Sequence, residues 1–207
     1  MKFLKTYKQI NEGLRDMMKP KSEEEIEKSF SSLNPLDKYL LVDRYKLDKK
    51  YYPTEEEIYN YIIGLPDDEQ IKKMIQFGIS KEKFPRNNDG WCIYNGELKI
   101  ESIYSQNFIR MEGLPNKFII NGDLIAPLSG LNELPDDLIV NGDFDCSYNM
   151  LTKLPKGLKI EKNFLVTRNE IRVLPDDLIV GGVLYISDNK LPSDIKKPVG
   201  VNKMDNT

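Results

Sequence analysis

The 207-residue chain carries 30 basic and 33 acidic side chains, a net charge of −3. With 40% hydrophobic and 10% aromatic residues, it has the apolar content for packed cores and lacks the basic footprint of a nucleic-acid binder. It has no histidine, which removes the commonest general base, the commonest metal ligand and every His-dependent triad. Cys92 and Cys146 stand far apart and read as reduced, packed thiols, and no stretch reaches the roughly 18 apolar residues of a membrane span, so a cytoplasmic protein is expected.

Residues 1–88 read as a small helical domain. Phe3, Tyr7, Ile10, Leu14 and Met17 fall on one stripe of an amphipathic helix that Pro20 ends. That stripe fits core contact with the following helices, a detachable docking helix for a partner groove, or attachment to a membrane surface. Ser22 with Glu25 is a capping box opening a helix over 23–30, and Asn34 followed by Pro35 starts one carrying Tyr39, Leu40 and Tyr45. Thr54 with Glu57 caps another that Gly64 closes, and a last helix over about 67–77 stops at Gly78. The Pro-, Asn- and Gly-containing run 80–90 is the expected junction.

Residues 89–113 are expected to form a cap on the C-terminal part of the chain. Residues 91–94 and 97–100 alternate on either side of Asn95-Gly96, the signature of a β-hairpin with a type I′ turn. An irregular first coil completes the segment.

From residue 114 the chain repeats itself. Leu-Pro occurs at 114, 134, 154 and 174, a spacing of 20, and again at 191 after a shortened interval. A fixed period of this size marks a solenoid, whose coils cannot bury their apolar faces alone and stack on one another. Apolar residues recur at the first, fifth, seventh, eleventh, thirteenth and eighteenth places, as in Leu134, Leu138, Val140, Phe144, Cys146 and Leu151. The sixteenth place holds Asn149, Asn169 and Asn189, with Ser129 in the first unit, and a short polar side chain at a fixed bend can satisfy backbone groups of a neighbouring coil. A competing reading takes Asn141-Gly142 as the turn of an antiparallel hairpin. The fixed period argues against it, as does Glu161-Lys162, which breaks the turn chemistry without breaking the period.

The stretches from Phe144 to Leu151, Phe164 to Ile171 and Leu184 to Leu191 resemble the LxLxxNxL signature of leucine-rich repeats. The 20-residue Leu-Pro period is similar to the short subclass of bacterial effectors and to repeats in tailed-phage genomes, and the stretch 11–26 resembles the opening of large-phage proteins. The chain departs from the family upstream of the strand, where Asn121-Gly122, Asn141-Gly142, Glu161-Lys162 and Gly181-Gly182 replace the usual leucine and move the core contact back to Ile120, Val140, Ile160 and Val180. A flattened coil with two short extended limbs is implied. Together with the helical pattern of residues 1–88, the resemblance gives the expectation of an α+β chain, a small helical domain followed by a short leucine-rich-repeat-like β-solenoid over 114–198 and a tail over 199–207. Effectors of this subclass often carry a ubiquitin-ligase domain after the repeats. Only the short tail comes after the repeats here, so that activity is not carried over.

Walker loops, dinucleotide glycine fingerprints and Cys-x-x-Cys pairs are absent from the sequence. Asp136-Asp137 and Asp176-Asp177 follow Leu-Pro at a corner of the coil, where Asp favours local backbone bonding over catalysis. No enzyme activity, cofactor or metal is expected, and what remains is recognition. The open strand face would show Ile125, Asp143, Asp145, Leu165 and Tyr185, beside Tyr148, Arg168 and Asp188 on the edge, apolar and aromatic groups among acids that suit a mildly basic protein partner. The expectation is a non-enzymatic adaptor or inhibitor, monomeric when free, in the host cytoplasm or on a virion if phage-encoded. The alternative is a structural or packaged component of a particle, docked by its N-terminal helix.

Overall fold

The structure, a computed structural model, describes residues 28, 30–45, 48–100 and 114–206. The expected helix of 1–18 and the capping box at Ser22 lie outside the described residues. The chain divides into two compact units, 1–61 and 62–207.

In the first unit, α1 (Pro35–Tyr45) opens where Asn34 precedes proline. Asn34 Oδ1 accepts from the Asp37 N–H at 2.9 Å, occupying a donor that the first turn leaves without a helical partner. Phe30, Leu41 and Val42 are buried together, and Tyr51 stacks on Phe30 at 5.4 Å. Helix α2 (Glu55–Ile62) carries the predicted capping box in full: the Glu57 N–H donates to Thr54 Oγ1 at 3.2 Å and the Thr54 N–H donates to Glu57 Oε2 at 2.8 Å. These hydrogen bonds hold the Glu57 carboxyl below its ordinary range.

Among the described residues, the second unit holds α3 (Asp67–Gln76) and ten strands. Helix α3 ends as expected at Gly78, which takes φ +61°. Ile71, Met74, Ile75, Phe77, Ile79 and Phe84 are buried, and α3 lies against β1 (Cys92–Asn95). The compact units divide at 61/62, whereas the sequence places the end of the helical domain at residue 88. Residues 62–88 belong to the solenoid unit, because a solenoid's first coil leaves its apolar interior open and α3 closes it.

Each coil has two short extended limbs. The first limbs are β1, β3 (Phe118–Asn121), β5 (Leu138–Val140) and β7 (Lys159–Ile160). The second are β2 (Leu98–Lys99), β4 (Leu124–Ile125), β6 (Phe144–Asp145) and β8 (Phe164–Leu165). Both columns are parallel with a register of 20 residues: Phe118 faces Leu138, Ile139 faces Lys159, and Phe144 faces Phe164, which faces Leu184. The alternative hairpin across Asn141-Gly142 does not form. The columns meet in β9 (Ile179–Tyr185), where Gly181-Gly182 replaces the Asn-Gly corner and the strand runs through both limbs.

All six predicted core places are filled as the repeat requires. Phe118, Leu138, Leu158 and Leu178 are fully buried, as are Leu124, Phe144, Phe164 and Leu184, each contributing about 1.5–3 kcal/mol by burial. The Phe144 and Phe164 rings stack at 5.0 Å with planes 14° apart, which a 20-residue register makes automatic.

Two expectations are overturned. Residues 91–100 do not form a hairpin: β1 pairs parallel with β3 and β2 parallel with β4, in each case 26 residues on. A type I′ turn needs positive φ at both central residues, and of Asn95 and Gly96 only the glycine has it, at +109°. Asn-Gly here turns a corner rather than reversing the chain. Residues 201–205 are likewise no tail, because β10 (Val201–Asp205) pairs parallel with β9 and covers the far end of the stack.

Three side-chain ladders bind coil to coil. At the buried bend, Asn169 Oδ1 accepts from the Leu151 N–H at 3.0 Å, while its Nδ2 donates to the carbonyls of Cys146 at 3.0 Å and Val166 at 3.1 Å. Asn149 and Asn189 repeat the pattern. At the corner, Asn141 Nδ2 donates to Asn121 Oδ1 and Asn121 Nδ2 to Asn95 Oδ1, both at 2.8 Å. Past the corner, Asp123 Oδ1 accepts from the Asp143 N–H, Asp143 Oδ1 from the Asn163 N–H and Asn163 Oδ1 from the Val183 N–H. No buried side-chain nitrogen or oxygen among the described residues lacks a partner.

The corner itself is crowded. A Cβ added at Gly142 would stand 2.2 Å from Asp123 Oδ1, which cannot retreat without breaking its bond from the Asp143 N–H, and 2.5 Å from the backbone oxygen of Gly122. We expect Gly142→Ala to destabilise by about 1–3 kcal/mol through overpacking. Asn169→Ala should cost a similar amount by leaving buried backbone groups unsatisfied. Denaturant midpoints at an unchanged m-value check both, and a wild-type midpoint for Asn169→Ala would mean that the ladder carries no stability.

Candidate recognition surface

A limb of period two turns alternate side chains away from the core. On the second limbs those are Lys99, Ile125, Asp145, Leu165, Tyr185 and Asp205, aligned residue over residue by the parallel register. Ile125 and Leu165 are half-buried by their neighbours in the row and Tyr185 is exposed.

The edge row stands at the bend after each second limb. Leu128, Tyr148, Arg168 and Asp188 each occupy the fifteenth place and each has a left-handed backbone, with φ of 53°, 58°, 54° and 56°. That conformation costs an L-residue roughly 1–2 kcal/mol, and glycine adopts it freely. The bend is held open by the asparagine next in sequence, whose amide ties three backbone carbonyls of two coils together. The side chains so displayed touch one another. The Arg168 guanidinium lies 4.9 Å from the centre of the Tyr148 ring and its Nε donates to Asp188 Oδ2 at 3.0 Å. Beside them, Lys190 Nζ pairs with Glu170 Oε2 at 3.0 Å. All four charged groups are about half exposed, so their value is in fixing side-chain direction rather than in stability.

Thus the structure brings Tyr148, Arg168 and Asp188 into one chain of contacts and sets Ile125, Asp145, Leu165 and Tyr185 in one row. It gives the two acids of the predicted face internal work. Asp143 is a rung of the third ladder, and Asp145 Oδ1 accepts from both the N–H, at 2.9 Å, and the hydroxyl of Ser147. These carboxylates therefore hold the coil as well as lying on the expected face.

The structure also presents a face that strand alternation in the second limbs does not announce. Across the first limbs, Ile93, Ile119, Ile139, Lys159 and Ile179 form a second outward row, exposed at both ends. Its signal is present in runs such as 118–120 and 138–140, where three consecutive apolar residues on a strand must turn one of them outward.

Both cysteines are buried and unpaired. Burial pushes the Cys92 thiol up to about 11 and that of Cys146 well above its usual value, so both are neutral at physiological pH. Among the described residues no group of three or more acidic or cysteine side chains is placed to hold a metal ion, and no helix is long and apolar enough to cross a membrane. Comparison with protein-family models, with curated proteins and with solved structures finds no match to the chain.

Backbone strain at the edge row is open to direct measurement. Arg168→Gly should be more stable than Arg168→Ala by about 1 kcal/mol, the reverse of the order in a strand or helix, because only glycine is relieved at positive φ. The ordinary order in thermal melts would show that the bend relaxes. Neither thiol should react appreciably with iodoacetamide at pH 8 in the folded chain, and both should do so once it is unfolded.

Proposed function

We propose that the chain is a non-enzymatic protein-binding module of adaptor or inhibitor type, which recognises a partner through the second-limb face and its edge row. The observation that carries this reading is the edge row itself. Four successive coils place non-glycine residues at a left-handed position, and in three of them the side chain is a tyrosine, an arginine and an aspartate joined into one fixed array. Strain of this kind persists where the surrounding structure over-determines it and collects at functional sites. Tyr and Arg are the side chains that most often anchor interfaces, and Leu165 and Tyr185 supply an apolar centre beside them. The likeness to leucine-rich repeats, with their open strand face, supports the same reading, as does a second limb without charged rows that run its whole length.

The test is partner capture from the cell of origin by tagged wild-type chain and by variants. Tyr185→Ala and Arg168→Ala should leave the melting behaviour close to wild type, since both side chains lie outside the core, yet weaken capture by at least about 1 kcal/mol. If both variants capture normally while deletion of residues 1–18 abolishes capture, the solenoid is scaffold. The chain is then an assembly component docked by its N-terminal segment.

A further inference from the structure

Among the described residues, the near end of the solenoid carries an unused strand edge. Strand β1 bonds β3 through alternate residues: the Cys92 N–H donates to the Lys117 carbonyl at 2.9 Å and the Gly96 N–H to the Asn121 carbonyl at 3.2 Å. In a parallel ladder the intervening residues point their N–H and C=O the other way, so Ile93 and Asn95 face outward from the stack. Among the described residues nothing accepts from or donates to those backbone groups. The same end also leaves a side-chain donor over. The corner ladder runs from Asn141 through Asn121 to Asn95, each amide giving its Nδ2 to the next oxygen, and Asn95 Nδ2 has no acceptor among the described residues.

Both features open into one cleft. Its volume is about 450 Å³, within the roughly 300–1,000 Å³ usual for ligand sites, and it is lined by Ile93 and Asn95, by Asp67, Gln70 and Ile71 of α3, and by Pro85. Above the inward side of β1, α3 is close: Lys72 Nζ lies 5.6 Å from the centre of the Tyr94 ring.

We propose that this cleft takes one extended segment of a partner protein, added in parallel to the β1 edge as one more limb of the stack. The chain's own register states what that segment must bring. Opposite Ile93 the outward row takes an aliphatic residue, as Ile119 and Ile139 do, and opposite Asn95 it takes an asparagine or aspartate whose oxygen accepts the spare Nδ2 proton. The residue between them points toward α3 and must be small. The occupant thus reads aliphatic–small–Asn, with main-chain bonds giving affinity and the two outward side chains giving selectivity. This site is separate from the edge row of Tyr148 and Arg168, and substitutions there leave it intact.

Two measurements on the full chain test the proposal. In hydrogen exchange, the Ile93 and Asn95 amides should exchange fast while that of Tyr94, bonded into β3, is protected. Protection of all three would mean that the edge is already covered, and would overturn the idea. The free chain is then titrated with the capped peptide acetyl-Lys-Gly-Ile-Ser-Asn-Gly-amide and followed by ¹H–¹⁵N spectra. The expected result is perturbation centred on the Ile93 and Asn95 backbone amides and the Asn95 side-chain NH₂. Binding should fall at least tenfold when the peptide is N-methylated at the serine and the final glycine, whose N–H groups meet the Ile93 and Asn95 carbonyls. Asn95→Asp keeps the oxygen that Asn121 uses and removes the spare donor, so it should weaken the same peptide at least fivefold. Equal binding by the N-methylated peptide, or shifts confined to other residues, overturns the proposal. That comparison uses the wild-type chain and holds even if the variant misfolds.

Discussion

One buried amide per coil holds the repeat together. At the bend after the second limb the chain must turn sharply, and its carbonyls face inward where no water can reach them. Asn149 answers this by accepting from the backbone N–H groups of Ser129 and Leu131 in the preceding coil, at 3.0 Å each, and donating to the carbonyls of Ala126 and of its own Cys146. Because donor and acceptor of one side chain reach two coils, the asparagine sets both the shape of the bend and the spacing between coils. Leaving such groups unpaired would cost about 1–3 kcal/mol apiece, so the ladder outweighs the roughly 1–2 kcal/mol of backbone strain in the residue before it. The first described bend has serine instead: Ser129 Oγ lies 2.6 Å from the Ala126 carbonyl of its own coil and 3.4 Å from Asn149 Oδ1 of the next.

The corner between the limbs is set by space rather than by bonding. Glycine recurs at 122, 142 and 182 because successive backbones come too close there for a Cβ, as the 2.3 Å approach of a Cβ on Gly122 to the Gly96 oxygen shows; Gly96 itself has open space and is glycine for its φ of +109°. Lys162 occupies the same place in one coil, with its N–H still donating to the Gly142 oxygen at 3.2 Å and the Gly182 N–H donating onward to its own carbonyl at 2.8 Å. The rung is therefore a backbone rung. Two outward faces arise from this corner, one from each limb, and they differ in chemistry: the first limb shows a row of isoleucines broken by Lys159, the second a mixed row flanked by the strained edge.

How much of this was legible in the sequence depends on whether a signal repeats. The period, the six core places and the asparagine ladder recur through the stack, and each recurrence confirms the phase of the others; all are present as read. Asn95-Gly96 occurs at the start of the first coil, where the interval to the next corner is 26 rather than 20, and without the period a local hairpin signal looks stronger than a corner. The strand over 201–205 was hidden for the same reason at the other end, since Val-Asn-Lys-Met-Asp has no clean alternation and the preceding unit is shortened. The outward rows were half legible. Tyr185 follows from strand alternation and Tyr148 and Arg168 from their fixed place in the repeat, whereas the internal bonding of Asp143 and Asp145 depends on carboxylate direction, which no spacing reveals.

A solenoid divides its chemistry between faces and ends. On the faces the backbone is spent on neighbouring coils, so only side chains are left for outside contacts, in rows such as Tyr148–Arg168–Asp188 whose members fix one another. At an end the opposite holds, because the last rung of every ladder has a donor or acceptor that the next coil would have used. The far end spends what it has internally: Asn202 Nδ2 donates to the Gly181 carbonyl at 3.1 Å and Lys197 Nζ to that of Val201. Lysine on and beside a terminal strand also discourages further pairing. The near end has no lysine on β1 itself, and α3 closes the interior while leaving the β1 edge in a cleft. Interior closure and edge closure are separate requirements of a repeat stack, and among the described residues the cap at this end meets only the first.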